Sequence, residues 1–309
     1  MSWADLMRLW TYRVRNGAED GCYQQQNTFA KGPMNMRILI TGATGQVGRH
    51  LVSQLHQEGH DVRALTRHPS AARFPSGVEV VEGDLTDATT LDRAFDGVDA
   101  VHLITFGGDD FEDLSNGSDI VGHAEHHGVR RATVLGGWSR TSIERALAAS
   151  ALTWTVLHPV EFMANALDWA QEARTRRTVS MLATYPSAMV HEADIASVAA
   201  RALTEEGHGG RTYPLTGPEA LTPQERVRVL AEATGTDLTF VPLTEAQERE
   251  RLRGYGYDAD YVEFGIQLAT NPPDSSGVVL PTVEDVTGRP ARTFALWAQE
   301  HADRFRAMP

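Results

Sequence analysis

The sequence predicts an α/β fold, a doubly wound parallel sheet with a small, mainly helical lobe at its C-terminal end. Short apolar strands alternate with amphipathic helices, the first strand runs into a glycine-rich turn, and the C-terminal part becomes mainly helical. Strands that alternate with helices form parallel sheets with right-handed crossovers. The 309 residues, 41% of them hydrophobic, are enough for a large domain with its own core.

The glycine-rich turn follows an apolar strand at 38–40, and its three glycines are spaced three residues apart. Gly42 permits a sharp turn, Gly45 leaves room for phosphate oxygens beside the backbone, and Gly48 lets the next helix pack closely. That helix offers its N-terminal N–H groups to an anion. The spacing predicts a Rossmann-type dinucleotide site, the alternative being a purely structural turn. The cofactor contacts predicted in this turn are Gly42, Thr44, Gly45, Gln46 and Val47.

The remaining elements are predicted from apolar runs and helical periodicity. The buried face of the first helix is formed by Val47, Leu51 and Leu55. Further strands are predicted at 62–66, 78–81, 100–104, 132–135 and 153–157, and helices at 91–95, 114–127 and 142–150. Another helix begins near His191. In the C-terminal part, a capping box starts a helix at Thr222, and further helices are predicted at 245–252, 261–269 and 293–305.

Composition excludes several classes of function. The net charge of −13 argues against nucleic-acid binding, because neutralising phosphates requires a basic surface. No apolar run approaches the roughly 18 residues of a membrane span, so no membrane association is predicted. Cys22 is the single cysteine, which excludes an intramolecular disulfide and a cysteine zinc site. A reducing cytoplasm is the predicted location.

Four further segments resemble one known family. The turn TGATGQVG, the run WTVLHP at 154–159, FMAN at 162–165, and the later segments DIA and LTGP are similar to the NmrA-like group of atypical short-chain dehydrogenase/reductases, which includes quinone reductases. The resemblance runs from about residue 36 to the C-terminus. It implies an NAD(P)-binding domain at 34–309, with the dinucleotide core mainly at 34–160 and a mixed remainder at 161–309, whose substrate lobe lies mainly at 212–309.

The cofactor predicted is NADP, with NADPH preferred and NAD left open. A NAD-specific enzyme carries an acidic residue at the end of the second strand, whereas this chain has Arg67, which suits a 2′-phosphate. A solvated surface arginine is the alternative. Asp84 and Leu85 resemble the family's adenine contact, although a turn aspartate explains Asp84 as well. Thr105 and Phe106 close the fourth strand and are predicted to contact the cofactor, as is Pro159.

The usual catalytic pair of short-chain dehydrogenases is missing. No tyrosine lies between Tyr23 and Tyr185, and the only lysine, Lys31, precedes the first strand, so a Tyr-x-x-x-Lys mechanism is excluded. An acceptor stacked on the nicotinamide can be reduced without it. We therefore expect an NAD(P)H-dependent oxidoreductase acting on a quinone-like or aromatic, polyketide-like acceptor. A non-catalytic NAD(P) sensor and a hydroxylation-type tailoring enzyme are the alternatives.

His158 stands where the family commonly has arginine, and it is the one candidate for a proton donor. The alternative is a histidine bonded to a neighbouring loop. The predicted acceptor pocket contains Phe162 and Asn165, with Met163 and Trp169 beside them, although apolar residues at helical spacing also suit a core. Tyr255 and Tyr257, near Phe264, are predicted to select the acceptor from a glycine-containing loop.

No metal site is predicted. His191, Glu192 and Asp194 suit the first turn of a helix, and no second histidine stands at four-residue spacing from His191. His123 and His127 do have that spacing, but the sequence gives them no carboxylate partner. Residues 1–33 are predicted to be a disordered extension. The oligomeric state is left open, a homodimer included.

Overall fold

The computed structural model of the protein describes residues 35–108, 112–137 and 139–306. The predicted extension at 1–33 lies outside these residues. The described chain divides into two compact units. The first comprises residues 35–159, 192–215 and 285–288, and the second comprises 160–191, 216–284 and 289–306.

Within the described residues, seven parallel strands form the sheet of the first unit. They are β1 (Arg37–Ile40), β2 (Asp61–Thr66), β3 (Glu79–Glu82), β4 (Ala100–Leu103), β5 (Arg131–Leu135), β6 (Thr153–Pro159) and β7 (Thr212–Leu215). Their spatial order is β3-β2-β1-β4-β5-β6-β7, so the order reverses between β1 and β4. This confirms the predicted doubly wound parallel sheet. Ligands of such sheets bind at the carboxyl ends of the strands beside that reversal.

The helices of the described chain are short to medium in length. They are α1 (Gly48–Gln57), α2 (Asp92–Phe95), α3 (Gly117–His126), α4 (Ser142–Ala149), α5 (Ala170–Arg176), α6 (Glu192–Thr204), α7 (Pro223–Thr234), α8 (Glu245–Gly254), α9 (Ala259–Thr270), α10 (Thr282–Thr287), α11 (Phe294–Glu300) and α12 (Ala302–Phe305). The predicted strands are present with ends shifted by one or two residues. None of these helices combines the length and the apolar character needed to cross a bilayer.

The core of the first unit lies on the sheet. Ile38, Leu39 and Ile40 of β1 are fully buried, as expected for a central parallel strand covered by helices on both faces. Helix α1 packs against α6, where the Gln54 side chain donates a hydrogen bond of 3.0 Å to the Ala193 carbonyl oxygen. Helix α3 packs against α4. The sheet and these helices hold the glycine turn between β1 and α1.

The second unit is mainly helical, as predicted, and has its own aromatic core. Trp297 is fully buried, with the Phe294 ring stacked at 5.4 Å and the Phe305 ring edge-on at 6.2 Å. The predicted capping box is present at the start of α7, where Thr222 and Glu225 bond each other's backbone N–H groups. Within this unit, a second capping box of Thr244 and Gln247 starts α8 and was not predicted.

Several features of the structure differ from the prediction, and helices α5 and α10 were not predicted. The helix predicted at 293–305 is wrong as a single element: α11 ends and α12 begins at His301, whose ring bonds the Trp297 carbonyl oxygen at 2.9 Å and whose φ is −110°. Strand β7 was missed because it contains Pro214, which an edge strand tolerates. The second unit also has a small parallel ladder of Thr178–Met181 with Thr239–Pro242, which was not predicted.

Candidate dinucleotide-binding site

The turn between β1 and α1 has the backbone shape that its glycines allow. Gly42 has a φ of +59°, a conformation that residues with a side chain rarely adopt. The Gly45 N–H donates to the Gly42 carbonyl oxygen at 2.9 Å, which closes the turn. A Cβ on Gly48 would lie 2.1 Å from the same oxygen. The third glycine therefore permits the helix to start directly on the backbone of the turn.

Helix α1 begins without a side-chain cap, because the residue at its N-cap is Val47. Threonine caps start α4, α7, α8 and α11, whereas α2, α3, α5 and α12 also lack a side-chain cap, so the exposed glycine turn is what distinguishes the start of α1. Thr44, Gly45 and Gln46 of the turn are exposed. Uncapped N–H groups beside an exposed, glycine-lined turn suit an anion such as a pyrophosphate, so the residues present fit a dinucleotide.

The predicted apolar face of α1 is buried, and one further residue bears on the turn. Val47, Leu51 and Leu55 are at most 4% exposed. Arg49, which was not among the predicted site residues, hydrogen-bonds the side-chain oxygen of Gln46. Its place in the first turn of the helix, directly after Gly48, was the signal for it. Arg49 adds a positive charge to the edge of the turn.

A buried threonine ties the turn to strand β4. The N–H and the hydroxyl of Thr41 both donate to the His102 carbonyl oxygen, at 3.0 and 2.9 Å, and the Thr41 hydroxyl accepts from the Ile104 N–H at 2.9 Å. The Nδ1 of the His102 ring lies 2.8 Å from the Thr133 hydroxyl oxygen. Complete burial lowers the pKa of His102 to about 4, so this ring is neutral near pH 7.

Three of the predicted cofactor contacts, Arg67, Asp84 and Leu85, lie just after the ends of β2 and β3. Arg67 is exposed and directly follows β2, as the prediction requires. Asp84 accepts hydrogen bonds from the N–H and the hydroxyl of Thr86, at 2.9 and 2.8 Å, which is the bonding of a turn aspartate. Leu85 is 7% exposed, and its carbonyl oxygen accepts from the Asn116 amide at 2.9 Å. The adenine contact of Asp84 and Leu85 stays a prediction.

Thr105, Phe106 and Pro159 lie at the carboxyl ends of β4 and β6. Thr105 is buried, and its hydroxyl donates to the Leu135 carbonyl oxygen at 3.3 Å. Phe106 is half-buried and belongs to a two-residue strand that pairs with Glu112–Asp113. Pro159 is the last residue of β6 and is half-buried. All three positions are therefore at the edge of the sheet where the glycine turn also lies.

His158 is held inside the first unit. It is 5% exposed, and its Nε2 lies 2.9 Å from the Gly137 carbonyl oxygen, in the loop after β5. This is the loop contact predicted as the alternative to a proton donor. A ring nitrogen bonded to a carbonyl carries the hydrogen itself. His158 therefore fastens the end of β6 to the loop after β5, and its catalytic role stays a prediction.

The four residues predicted for the acceptor pocket belong to the second unit. Phe162 is half-buried and precedes a short 3-10 helix, Met163–Trp169, and Asn165 is exposed on that helix. The neighbours Met163 and Trp169 belong to the core. Tyr255 and Tyr257 are 55% and 41% exposed.

Tyr261 was not among the predicted site residues, but it extends the aromatic surface of Tyr257. The Tyr257 ring stacks on the Tyr261 ring at 4.3 Å, and Phe264 lies edge-on to Tyr261 at 6.3 Å. The four-residue spacing of Tyr257 and Tyr261 was its signal. The structure thus groups the exposed Tyr257 and Tyr261 with the half-buried Phe264 in one aromatic cluster.

His191, which precedes α6 and belongs to the second unit, makes a structural contact within that unit. His191 is 1% exposed, and its Nε2 lies 3.1 Å from a carboxylate oxygen of Glu300 in the second unit. Glu192 and Asp194 are buried in the first turn of α6, where the positive end of the helix dipole stabilises carboxylates.

Comparison with known proteins agrees with this geometry. A family model described as NAD(P)H-binding matches residues 42–139. The chain is 37% identical to a (4-alkanoyl-5-oxo-2,5-dihydrofuran-3-yl)methyl phosphate reductase of Streptomyces griseus, over 87% of this chain and 99% of that one. It is 33% identical to an NAD(P)H azoreductase of Xenophilus azovorans, again over 87% of this chain and 99% of that one.

A solved structure shares the fold. An NADPH-dependent quinone oxidoreductase of Escherichia coli, complexed with NADPH, has a TM-score of 0.71 at 24% identity and covers 85% of this chain and 99% of its own. The two reductases match the chain over nearly their whole length, and the family model spans the glycine turn. The chain belongs to the NmrA-like group of NAD(P)H-binding short-chain dehydrogenase/reductases, and it is an NAD(P)H-dependent oxidoreductase.

Proposed function

We propose that the protein uses NADPH to reduce a planar, conjugated acceptor, a quinone-like or azo-type aromatic compound, with no side chain acting as an essential proton donor. The observation that carries this proposal is the bonding of His158, the one candidate proton donor, whose Nε2 is engaged with the Gly137 carbonyl oxygen at 2.9 Å. Burial raises the pKa of Tyr185 to about 12, and it raises the pKa of Tyr261 as well. A catalytic tyrosine needs the opposite change, and the described residues contain no lysine to cause it.

The chain's contribution is to bind and orient. The uncapped start of α1 and the glycine turn receive the pyrophosphate, and Arg67 pairs with the 2′-phosphate that distinguishes NADPH from NADH. Asp84 and Leu85 border the adenine, while Thr105, Phe106 and Pro159 border the remainder of the cofactor. When bound, NADPH supplies a hydride to the acceptor.

The acceptor's own chemistry makes a protein acid dispensable. A quinone that receives a hydride forms a hydroquinone anion whose charge is spread over the ring, and water then supplies the proton. An azo group gains one hydride and one proton and becomes a hydrazine. A saturated ketone would form a localised alkoxide, which requires a positioned acid. Conjugated acceptors are therefore the class that this set of residues suits.

Phe162, Asn165, Tyr255 and Tyr257 are the proposed acceptor contacts. Exposed tyrosine rings offer flat apolar faces for an aromatic acceptor, and the Asn165 amide offers a hydrogen bond to a carbonyl oxygen. The names of an azoreductase, a quinone oxidoreductase and a furan-derived phosphate reductase among the similar proteins support conjugated acceptors. We place the reaction in the cytoplasm, where a chain with one cysteine needs no disulfide.

The test is an acceptor series with the full-length protein. NADPH oxidation is followed spectrophotometrically with a benzoquinone, a naphthoquinone, an azo dye and, as the control, a saturated ketone. We expect turnover with at least one conjugated acceptor and none with the ketone. Faster reduction of the ketone would overturn the proposal. NADPH binding without turnover of any acceptor would favour a sensor, and oxygen-dependent consumption with a hydroxylated product would favour a tailoring enzyme.

A further inference from the structure

A histidine pair and a carboxylate meet on the surface of the first unit. Asp92 is the first residue of α2, His123 lies near the end of α3, and His127 is the C-cap of α3. One ligand atom from each of the three residues lies within 4.8 Å of the other two. The His127 Nε2 is 2.9 Å from Asp92 Oδ1, and the His123 Nδ1 is 3.9 Å from the same oxygen.

The spacing of these atoms suits a small divalent ion. Bonds of about 2.0 to 2.2 Å in a tetrahedral zinc site place ligand atoms roughly 3.4 Å apart. The distances of 2.9 and 3.9 Å to the Asp92 oxygen lie on either side of that value. Two imidazole nitrogens and a carboxylate oxygen are a ligand set typical of Zn²⁺ and related ions of the first transition series.

The two histidine rings are already positioned. The His123 ring lies parallel to the fully buried Phe95 ring, at an angle of 8° and a centroid distance of 6.3 Å. His123 and His127 are four residues apart at a helix end, and their rings are 26% and 16% exposed, so water and ions reach them. An ion here would replace the hydrogen that His127 shares with Asp92.

We propose that Asp92, His123 and His127 bind one divalent transition-metal ion of the zinc class, with water completing its coordination. The ion would join α2 to α3. His123 and His127, at the end of α3, precede β5 in the chain, and α2 precedes β4. The site is therefore near the amino ends of these two strands. The glycine turn is at the carboxyl ends. The metal would therefore act on the stability of the fold and take no part in hydride transfer.

The experiment uses tag-free, full-length protein stripped with a chelator. ZnCl₂ is titrated by calorimetry, and the Tm is measured with and without ZnCl₂. Matched variants are H123A, H127A and D92N, and the control is H126A, which removes an exposed histidine from the same helix. Any ion that binds only the folded state raises the Tm. CoCl₂ provides a second probe, since its visible spectrum reports nitrogen and oxygen coordination.

We expect saturable binding of one Zn²⁺ and a zinc-dependent rise in Tm for the wild type and H126A. Each of the three ligand variants should bind at least about tenfold more weakly, because even loss of a residue that only orients a ligand costs about 10- to 100-fold. The quantity compared is the zinc-dependent rise, so a lower starting Tm of H127A does not confound it, and H123A and D92N carry the test alone if H127A does not fold. Equal zinc effects in all variants, or no saturable binding by the wild type, would overturn the proposal.

Discussion

The backbone of Gly48 lies against the carbonyl group of Gly42, so close that a Cβ on Gly48 would stand 2.1 Å from the Gly42 oxygen and 2.8 Å from the Ala43 Cα. Both atoms that a Cβ would meet belong to the backbone, so neither can move aside without distorting the turn. The shape of the turn therefore depends on the missing side chain at position 48 as much as on the left-handed Gly42.

G48A is expected to distort the turn and the start of α1. Overpacking of this kind costs about 1 to 3 kcal/mol of stability, and NADPH binding should weaken severely. Urea unfolding and a fluorescence titration with NADPH measure the two effects. The matched control is G122A on α3, where a Cβ meets nothing within 4 Å, so stability should stay equal or rise by about 1 kcal/mol. Unchanged NADPH affinity in folded G48A would contradict the site.

R67A is expected to reduce the preference for NADPH. A hydrogen bond to a charged group contributes roughly 1.5 to 3 kcal/mol, so the Kd for NADPH should rise about tenfold or more while the Kd for NADH changes little. Both constants are measured by titration. R73A, which removes a second exposed arginine from the segment after β2, serves as the control. Equal losses for the two cofactors in R67A would show that Arg67 does not recognise the 2′-phosphate.

H158A should lower kcat by less than about 100-fold, the lower end of what positioned acid catalysis contributes. The reason is that the His158 Nε2 is engaged with the Gly137 carbonyl oxygen. The assay is NADPH oxidation with a quinone, and NADPH affinity is measured beside it. A thousandfold loss in kcat with intact NADPH binding would make His158 the general acid and reject unassisted transfer.

The stability of the fold should fall as the pH is lowered from about 6.5 to about 4. Burial lowers the pKa of His102 to about 4, so between these values the unfolded chain binds a proton that the folded chain does not. The loss amounts to roughly 3 kcal/mol across the window. In H102N the slope of unfolding free energy against pH should shrink. It should not vanish, because burial also lowers the pKa of His60 and His208. An unchanged slope would contradict this account.

Local signals made much of the fold predictable. The glycine turn, the apolar run of β1 and the capping box of Thr222 each act within a few residues, and sequence reasoning found all three. Pro214 concealed β7, because a proline argues against a strand until its edge position is known. The partnership of Asp92 with His123 and His127 depends on how α2 and α3 pack, which no spacing in the sequence reports.

For the candidate site, the sequence predicted the positions of residues at strand ends but not the contacts between strands. Positions such as Gly42 and Arg67 follow from strand ends, whereas the contact of His158 with Gly137 depends on the neighbouring placement of β5 and β6. Tyr257 and Tyr261 stand four residues apart in the sequence, so their stacking could have been predicted. Whether their rings are exposed enough to contact an acceptor depends on the packing around α9, which the sequence does not report.

The hydroxyl of Thr41 connects the glycine turn to the end of strand β4. Because it bridges the His102 carbonyl oxygen and the Ile104 N–H, the chain leaving β4 cannot shift without pulling on the residue before Gly42. The Ile104 side chain also fills the space that a Cβ on Gly42 would take, at 2.8 Å. A dinucleotide that binds the glycine turn should therefore also slow hydrogen exchange in the segment after β4, although the two segments are far apart in the chain.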